Sequence, residues 1–236
     1  MKRSINKLFI SVILFFSCTD KAIEQLPITT NSEKARKHYQ KAREYYLTTD
    51  FPEGWSSLDS ALAIDPNFAM ASLIRWHPDP SIRTKNRKKA YSLINTVSDA
   101  EKYILNANRC EDEGNLDSAL FYIKKLVEKY PNSYESYNEL GVIYGSRNEL
   151  KLAEEAFKES IEIYPDNYMA YTYLFGQHVM YGFYDLLPTE ERDVNIGLKY
   201  AEKLIDLKPN SAHGFHAKAN CYRQLGEFEK AIPLYD

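Results

Sequence analysis

Few residues of this 236-residue chain have both the type and the spacing for chemistry. His213 and His216 stand three apart, which on a helix would turn two imidazoles to one side, as a zinc site requires. No third His, Cys or carboxylate shares that spacing, so groove-lining polar residues are the expectation and neither a metal nor a cofactor is implied. Cys110 and Cys221 fall inside helical patterns far apart in the chain and read as buried free thiols rather than a disulfide. Acidic pairs such as Glu154–Glu155 have Lys158 close by, the pattern of a solvated helix face. The chain lacks Gly-x-Ser-x-Gly, a Gly-rich phosphate loop, His-Glu-x-x-His and Cys-x-x-Cys. No catalytic residue is therefore assigned, and the expectation is binding rather than an enzyme.

The elements that carry these residues are helical. The chain is 44% hydrophobic and 27% charged, ordinary for a globular protein, with only nine glycines. It has no long apolar/polar alternation, which argues against an all-β fold. Its 19 tyrosines suit the aromatic core positions of helix pairs. The formal net charge is −3. Arg83, Lys85, Arg87, Lys88 and Lys89 form the one basic cluster after the N-terminus, explained by a solvated loop and helix start. Nucleic acid is not an expected partner.

Tyr134 to Asn167 sets the period. Counting Tyr134 as position 1, Tyr137, Leu140, Gly141, Tyr144, Ala153, Phe157, Ser160 and Pro165 take positions 4, 7, 8, 11, 20, 24, 27 and 32. This resembles a tetratricopeptide repeat (TPR), two antiparallel helices in close contact through small residues. Extending the frame gives repeats at about 35–68, 69–99, 100–133, 134–167, 168–211 and 212–236. The second is irregular, with a short helix at Phe68–Trp76, a break at His77–Pro80 and renewed helical spacing from Arg87 to Val97. The fifth is stretched, its first helix running past Tyr181 before an insertion at 182–192. Gly114–Asn115 reads as a helix-ending turn. The sixth stops at position 25 with Ile232 and Leu234 uncapped, so the natural chain would continue or another surface would cover them. The resemblance implies an all-α solenoid of about six antiparallel helix pairs in a right-handed superhelix, the last repeat truncated.

Residues 1–17 differ. Lys2, Arg3 and Lys7 precede the apolar run Leu8–Phe16, too short to span a bilayer and suited to a secretory signal. Ser17-Cys18 at its end resembles a bacterial lipobox, which implies that Cys18 is acylated and becomes the mature N-terminus. Cleavage there removes three positive and no negative charges, taking the net charge from −3 to −6. Residues 18–31, with Pro27 and Thr29-Thr30-Asn31, read as a tether to a repeat domain over 32–236. Thr19 after the cysteine favours the outer membrane over the inner one within the bacterial cell envelope.

In the repeat family, positions 2, 5, 9, 12 and 13 of each first helix line the concave face. Here they are Arg36, Tyr39, Arg43, Tyr46 and Leu47; Glu101, Ile104, Asn108, Glu111 and Asp112; Glu135, Asn138, Val142, Gly145 and Ser146; Met169, Thr172, Gly176, Val179 and Met180; and His213, His216, Asn220, Arg223 and Gln224. This implies a groove basic and aromatic at its N-terminal end, acidic in the middle, apolar and adaptable at its methionines, and polar-basic at its C-terminal end. Phe183, Tyr184, Leu186 and Leu187 of the insertion would form a lip on it or tuck over the neighbouring helices. The carboxylate clamp of chaperone-binding relatives is missing, because Ile104 and Asn138 stand at its positions beside Glu101 and Glu135.

The expected function is a non-catalytic, membrane-tethered scaffold that binds a peptide or protein in this groove. The layout resembles lipoproteins that serve as assembly or piloting factors for outer-membrane machines. The alternatives are the repeat portion of a longer enzyme, sensor or regulator continuing beyond Asp236, and a glycan-uptake lipoprotein.

Overall fold

The computed structural model describes residues 22–74, 79–179 and 187–235. Cys18, Met180, Phe183, Tyr184 and Leu186 lie outside them. The described residues form six helix pairs: α1 (Glu33–Leu47) with α2 (Phe51–Ile64), α3 (Ala69–Ile74) with α4 (Pro80–Ser92), α5 (Asp99–Asp112) with α6 (Leu116–Lys129), α7 (Tyr134–Ser146) with α8 (Leu150–Ile163), α9 (Tyr168–His178) with α10 (Val194–Leu207), and α11 (Ala212–Gln224) with α12 (Phe228–Ala231). Among the described residues there is no strand, and no helix is long and apolar enough to cross a membrane.

One turn recurs within the pairs. In four of them the chain passes through a left-handed residue, Thr49, Gly114, Asn148 or Gly226, between the two helices. In each, the next amide reaches back to the carbonyl at repeat position 11: Asp50 to Tyr45, Asn115 to Cys110, Glu149 to Tyr144 and Glu227 to Tyr222, at 2.8–2.9 Å. This closure satisfies carbonyls that a helix end would otherwise orphan. The second helices stop before Pro66, Pro131, Pro165 and Pro209, because proline disfavours helical backbone in the residue before it.

Small residues hold each pair together. Ala42, Ala107, Gly141 and Ala219 at position 8 face Gly54, Ala119, Ala153 and Ala231 at position 20, all buried. A Cβ at Gly141 would lie 2.6 Å from the Phe157 ring, and one at Gly54 equally close to the Tyr46 ring.

Two boundaries differ from the sequence expectation. Helix α4 begins at Pro80, because Asp79 accepts the Ser81 amide at 2.8 Å and proline fits a first helical position. Helix α9 ends at His178, short of Tyr181. Val179 is extended and fully buried against Gly197, where a Cβ would meet its Cγ2, and the Gln177 carbonyl accepts the Leu187 amide at 3.0 Å. Leu187 itself is buried, as the tucked-in reading of the insertion has it.

The residues read as a free tether are ordered from Ala22 onward as an extended strap. Leu26 is buried in the same apolar core as helices α1 to α6, with Ile28 half-buried beside it. A period-based reading has no means of seeing this, since the strap has no helical spacing and its partners lie up to 109 residues away.

Candidate functional site

The concave side is narrow because the first helix reaches across it. Arg43 of α1 pairs with Glu135 of α7 at 2.6 Å, and Leu47 at the end of α1 packs against the apolar cluster of α9, α10 and α11. Between them lies a cavity of about 500 Å³. Its walls come from the strap (Leu26–Ile28), α1 (Tyr39, Arg43, Glu44, Tyr46, Leu47), α3 (Met70, Ile74), α5 (Glu101, Ile104), α7 (Tyr134, Glu135, Asn138, Glu139) and the stretch from Tyr164 to Met169, with Lys208 at the rim.

Several residues assigned to an open groove are instead bonded within the protein. Tyr39 is buried with its ring 4.9 Å from Phe68. Arg36 donates to the Ile28 carbonyl at 2.8 Å and pairs with Glu33. Glu101 is 1% exposed: it accepts the Ser98 amide in a capping box, and the Thr29 amide at 3.0 Å and hydroxyl at 2.5 Å from the strap. Asn138 and Asn167 exchange side-chain hydrogen bonds in the interior. Thr172 bonds back to the Tyr168 carbonyl. Glu111 accepts from Ser146, and Asp112 takes both Arg87 and Tyr91. These positions thus carry internal bonds: the curve brings helices of repeats one to five onto the cavity, and many of the polar side chains at or near it bond to one another.

At the C-terminal end, His213 is buried and hydrogen-bonded through Nδ1 to the Tyr168 hydroxyl at 2.8 Å. Burial pushes its pKa down to about 4, with His216 adding to the effect, so its neutral form prevails at neutral pH. His216 lies near Tyr235, while Asn220 accepts from Arg223. None of these four lines the cavity, although His213 touches its wall through Tyr168. Cys110 and Cys221 are free and buried, and burial pushes the Cys221 thiol up to about 12, too high for a reactive thiolate at neutral pH.

The cavity's electrostatics differ from the sequence inventory. The Arg43 charge faces Glu135 and Asp166 pairs with Lys203 at 3.6 Å, leaving Glu44 and Glu139 on the wall with Lys208. Burial pushes Glu139 up to about 7, with Arg43 opposing and Glu135 and Glu111 adding to it. A free glutamate titrates near 4.5, so between pH 4.5 and 7 the folded protein keeps a proton that the unfolded chain releases. Stability from this group is therefore present below pH 4.5 and is lost as pH rises through 7. Glu139→Gln removes that dependence. Denaturant melts should show the wild type losing about 1 kcal/mol relative to the variant between pH 5 and 8, a value reduced for solvent screening of a half-buried site. A gap independent of pH would contradict the placement.

The architecture defines a class: a helical repeat solenoid with a cavity on its concave side. Family models described as tetratricopeptide repeat match residues 88–133, 134–167 and 212–236, so these stretches are tetratricopeptide repeats. No curated protein matches it in sequence. Among solved structures it is similar to PilW, a widely conserved type IV pilus biogenesis factor, at 18% identity and a TM-score of 0.50, over 86% of this chain and 91% of that one. It is also similar to MamA, at 18% identity and a TM-score of 0.43 over 82% of this chain and 90% of that one. A second MamA structure, from MSR-1, aligns at 18% identity and 0.48 over 65% and 85%. At such identities the PilW likeness is one of fold. Repeats of this family generally bind protein partners, and the chain is a protein-interaction scaffold of that kind.

Proposed function

We propose that this chain is a non-catalytic scaffold, tethered to the bacterial outer membrane through an acylated Cys18, that binds a segment of a protein partner in the concave cavity. The single observation that carries the binding reading is the cavity itself. It collects aromatic, methionine and carboxylate side chains from five repeats and is formed by helices that pack before any ligand arrives, which leaves most of the ordering cost of binding to the ligand. Met169 is half-buried on its wall, where an adaptable apolar side chain suits a peptide surface. Partner capture by tagged protein should fall at least tenfold for Met169→Arg, and undiminished capture would place the site elsewhere.

The anchor reading rests on the sequence of residues 1–18. With Glu24 fixed to the solenoid, six residue steps separate it from Cys18, a reach of at most about 20 Å. An acyl chain there would hold the repeats close to the membrane face. Cys18→Ala should shift the protein from the membrane fraction to the soluble or unprocessed one. Unchanged fractionation would remove the anchor from the account.

A further inference from the structure

We propose that residues 24–31 are an internal ligand: the rim they cover is a site for an extended peptide with an aliphatic–proline–aliphatic–hydroxyl core, and the strap must leave before a partner segment can bind there. The inference rests on the scaffold reading and names the ligand class for it.

The strap is held as a bound peptide is held. Its amides at Glu24, Leu26, Thr29 and Asn31 donate to the Asn132 carbonyl, Glu135, Glu101 and Asp65. Its carbonyls at Pro27 and Ile28 accept from the Ser98 hydroxyl and from Arg36. Pro27 has no amide to satisfy and favours the extended backbone that lets neighbours alternate. Leu26 supplies the apolar anchor, and the Thr29 hydroxyl meets a carboxylate of Glu101 that is otherwise almost wholly shut from water.

Three features make this a site rather than a fixed piece of core. Two of the acceptors, Glu101 and Glu135, are carboxylates presented at the same repeat position by α5 and α7, so they can receive the amides of an extended backbone. The strap walls the cavity at Leu26–Ile28, so its departure would lengthen the cavity along this rim. It is also a single extended segment outside the helical repeats, with one buried apolar side chain, so it belongs to the low-stability end of the molecule. A displacing peptide must replace both the amide and the hydroxyl that Glu101 receives from Thr29. That requirement selects Thr or Ser two residues after the proline.

The test uses the full-length chain and a fluorescent peptide of residues 22–31. In the double variant Leu26→Ser/Thr29→Ala the strap loses its anchor and its hydroxyl, while the rim keeps every acceptor. The peptide should bind this variant at least tenfold more tightly than the wild type, and a peptide carrying Thr29→Ala should bind it at least tenfold more weakly. A folded variant that takes the peptide no better than the wild type overturns the proposal. Should the variant not fold, hydrogen exchange on the wild type decides. The Leu26 and Thr29 amides should exchange at least tenfold faster than those of Leu105 and Ala107 in α5, and exchange only together with α5 would make the strap a fixed part of the fold. Because the peptide is added in trans, failure here leaves capture of a natural partner in the cavity separately testable.

Discussion

Gly141→Leu should lower the melting temperature by about 6–12 °C, the shift expected of a cost of about 3 kcal/mol in a domain of this size. Gly141 lies where α7 crosses α8, and a Cβ there would already stand 2.6–2.8 Å from three atoms of the Phe157 ring. An aromatic ring can sometimes swing aside. This one is 1% exposed and stacked on Tyr173, with ring centroids 4.7 Å apart and planes 15° apart, so the whole contact between repeats four and five would have to shift. Leucine adds three further carbons to a space that cannot take the first. Thermal unfolding followed by circular dichroism checks it, and a melting temperature within error of the wild type would mean that α7 and α8 do not meet at this residue.

Glu101→Ala should cost roughly 3 kcal/mol or more, from a different cause. A buried carboxylate is tolerable only when donors surround it, and Glu101 has the Ser98 amide, the Thr29 amide and the Thr29 hydroxyl. Alanine removes the acceptor and leaves the Thr29 amide and hydroxyl facing an apolar space, at about 1–3 kcal/mol for each that water fails to reach, while the Ser98 amide keeps the Thr29 hydroxyl oxygen at 3.0 Å. It also opens half of the capping box that starts α5. Glu101→Gln keeps one acceptor oxygen and should fall between the two in denaturant melts. A Glu101→Ala protein as stable as the wild type would show that the strap is not fastened here.

The two variants mark what a single sequence reveals about such a chain and what it hides. Gly141 was legible because a repeat states its local contacts by period: position 8 must be small if position 24 is a phenylalanine one helix away. The left-handed turn at Gly114 and the helix stops before Pro66, Pro131, Pro165 and Pro209 follow from backbone chemistry alone. The tetratricopeptide resemblance, six helix pairs and an all-α solenoid were all readable on that basis. The role of Glu101 was not, because it depends on curvature. Helix α3 has only six residues, and the path of the chain around it brings α1 against α7 and the strap along α5 and α7. Contacts spanning 72 and 109 residues leave no periodic trace. For the same reason Tyr39, Asn138 and His213 read as groove residues while their side chains are buried and bonded inside. The early end of α9 escaped notice because Val179 and Gly197 meet only in three dimensions.

The central claim is that a partner segment sits in the concave cavity, and capture from native membranes with a matched control tests it most directly. Tagged wild type, Met169→Arg and Phe121→Arg would be compared, Phe121 being 55% exposed and outside the cavity wall. The account predicts the same co-purified protein from wild type and Phe121→Arg, and at least tenfold less from Met169→Arg at equal stability. Equal capture by Met169→Arg together with loss in Phe121→Arg would contradict it and move recognition to the outer face of the solenoid.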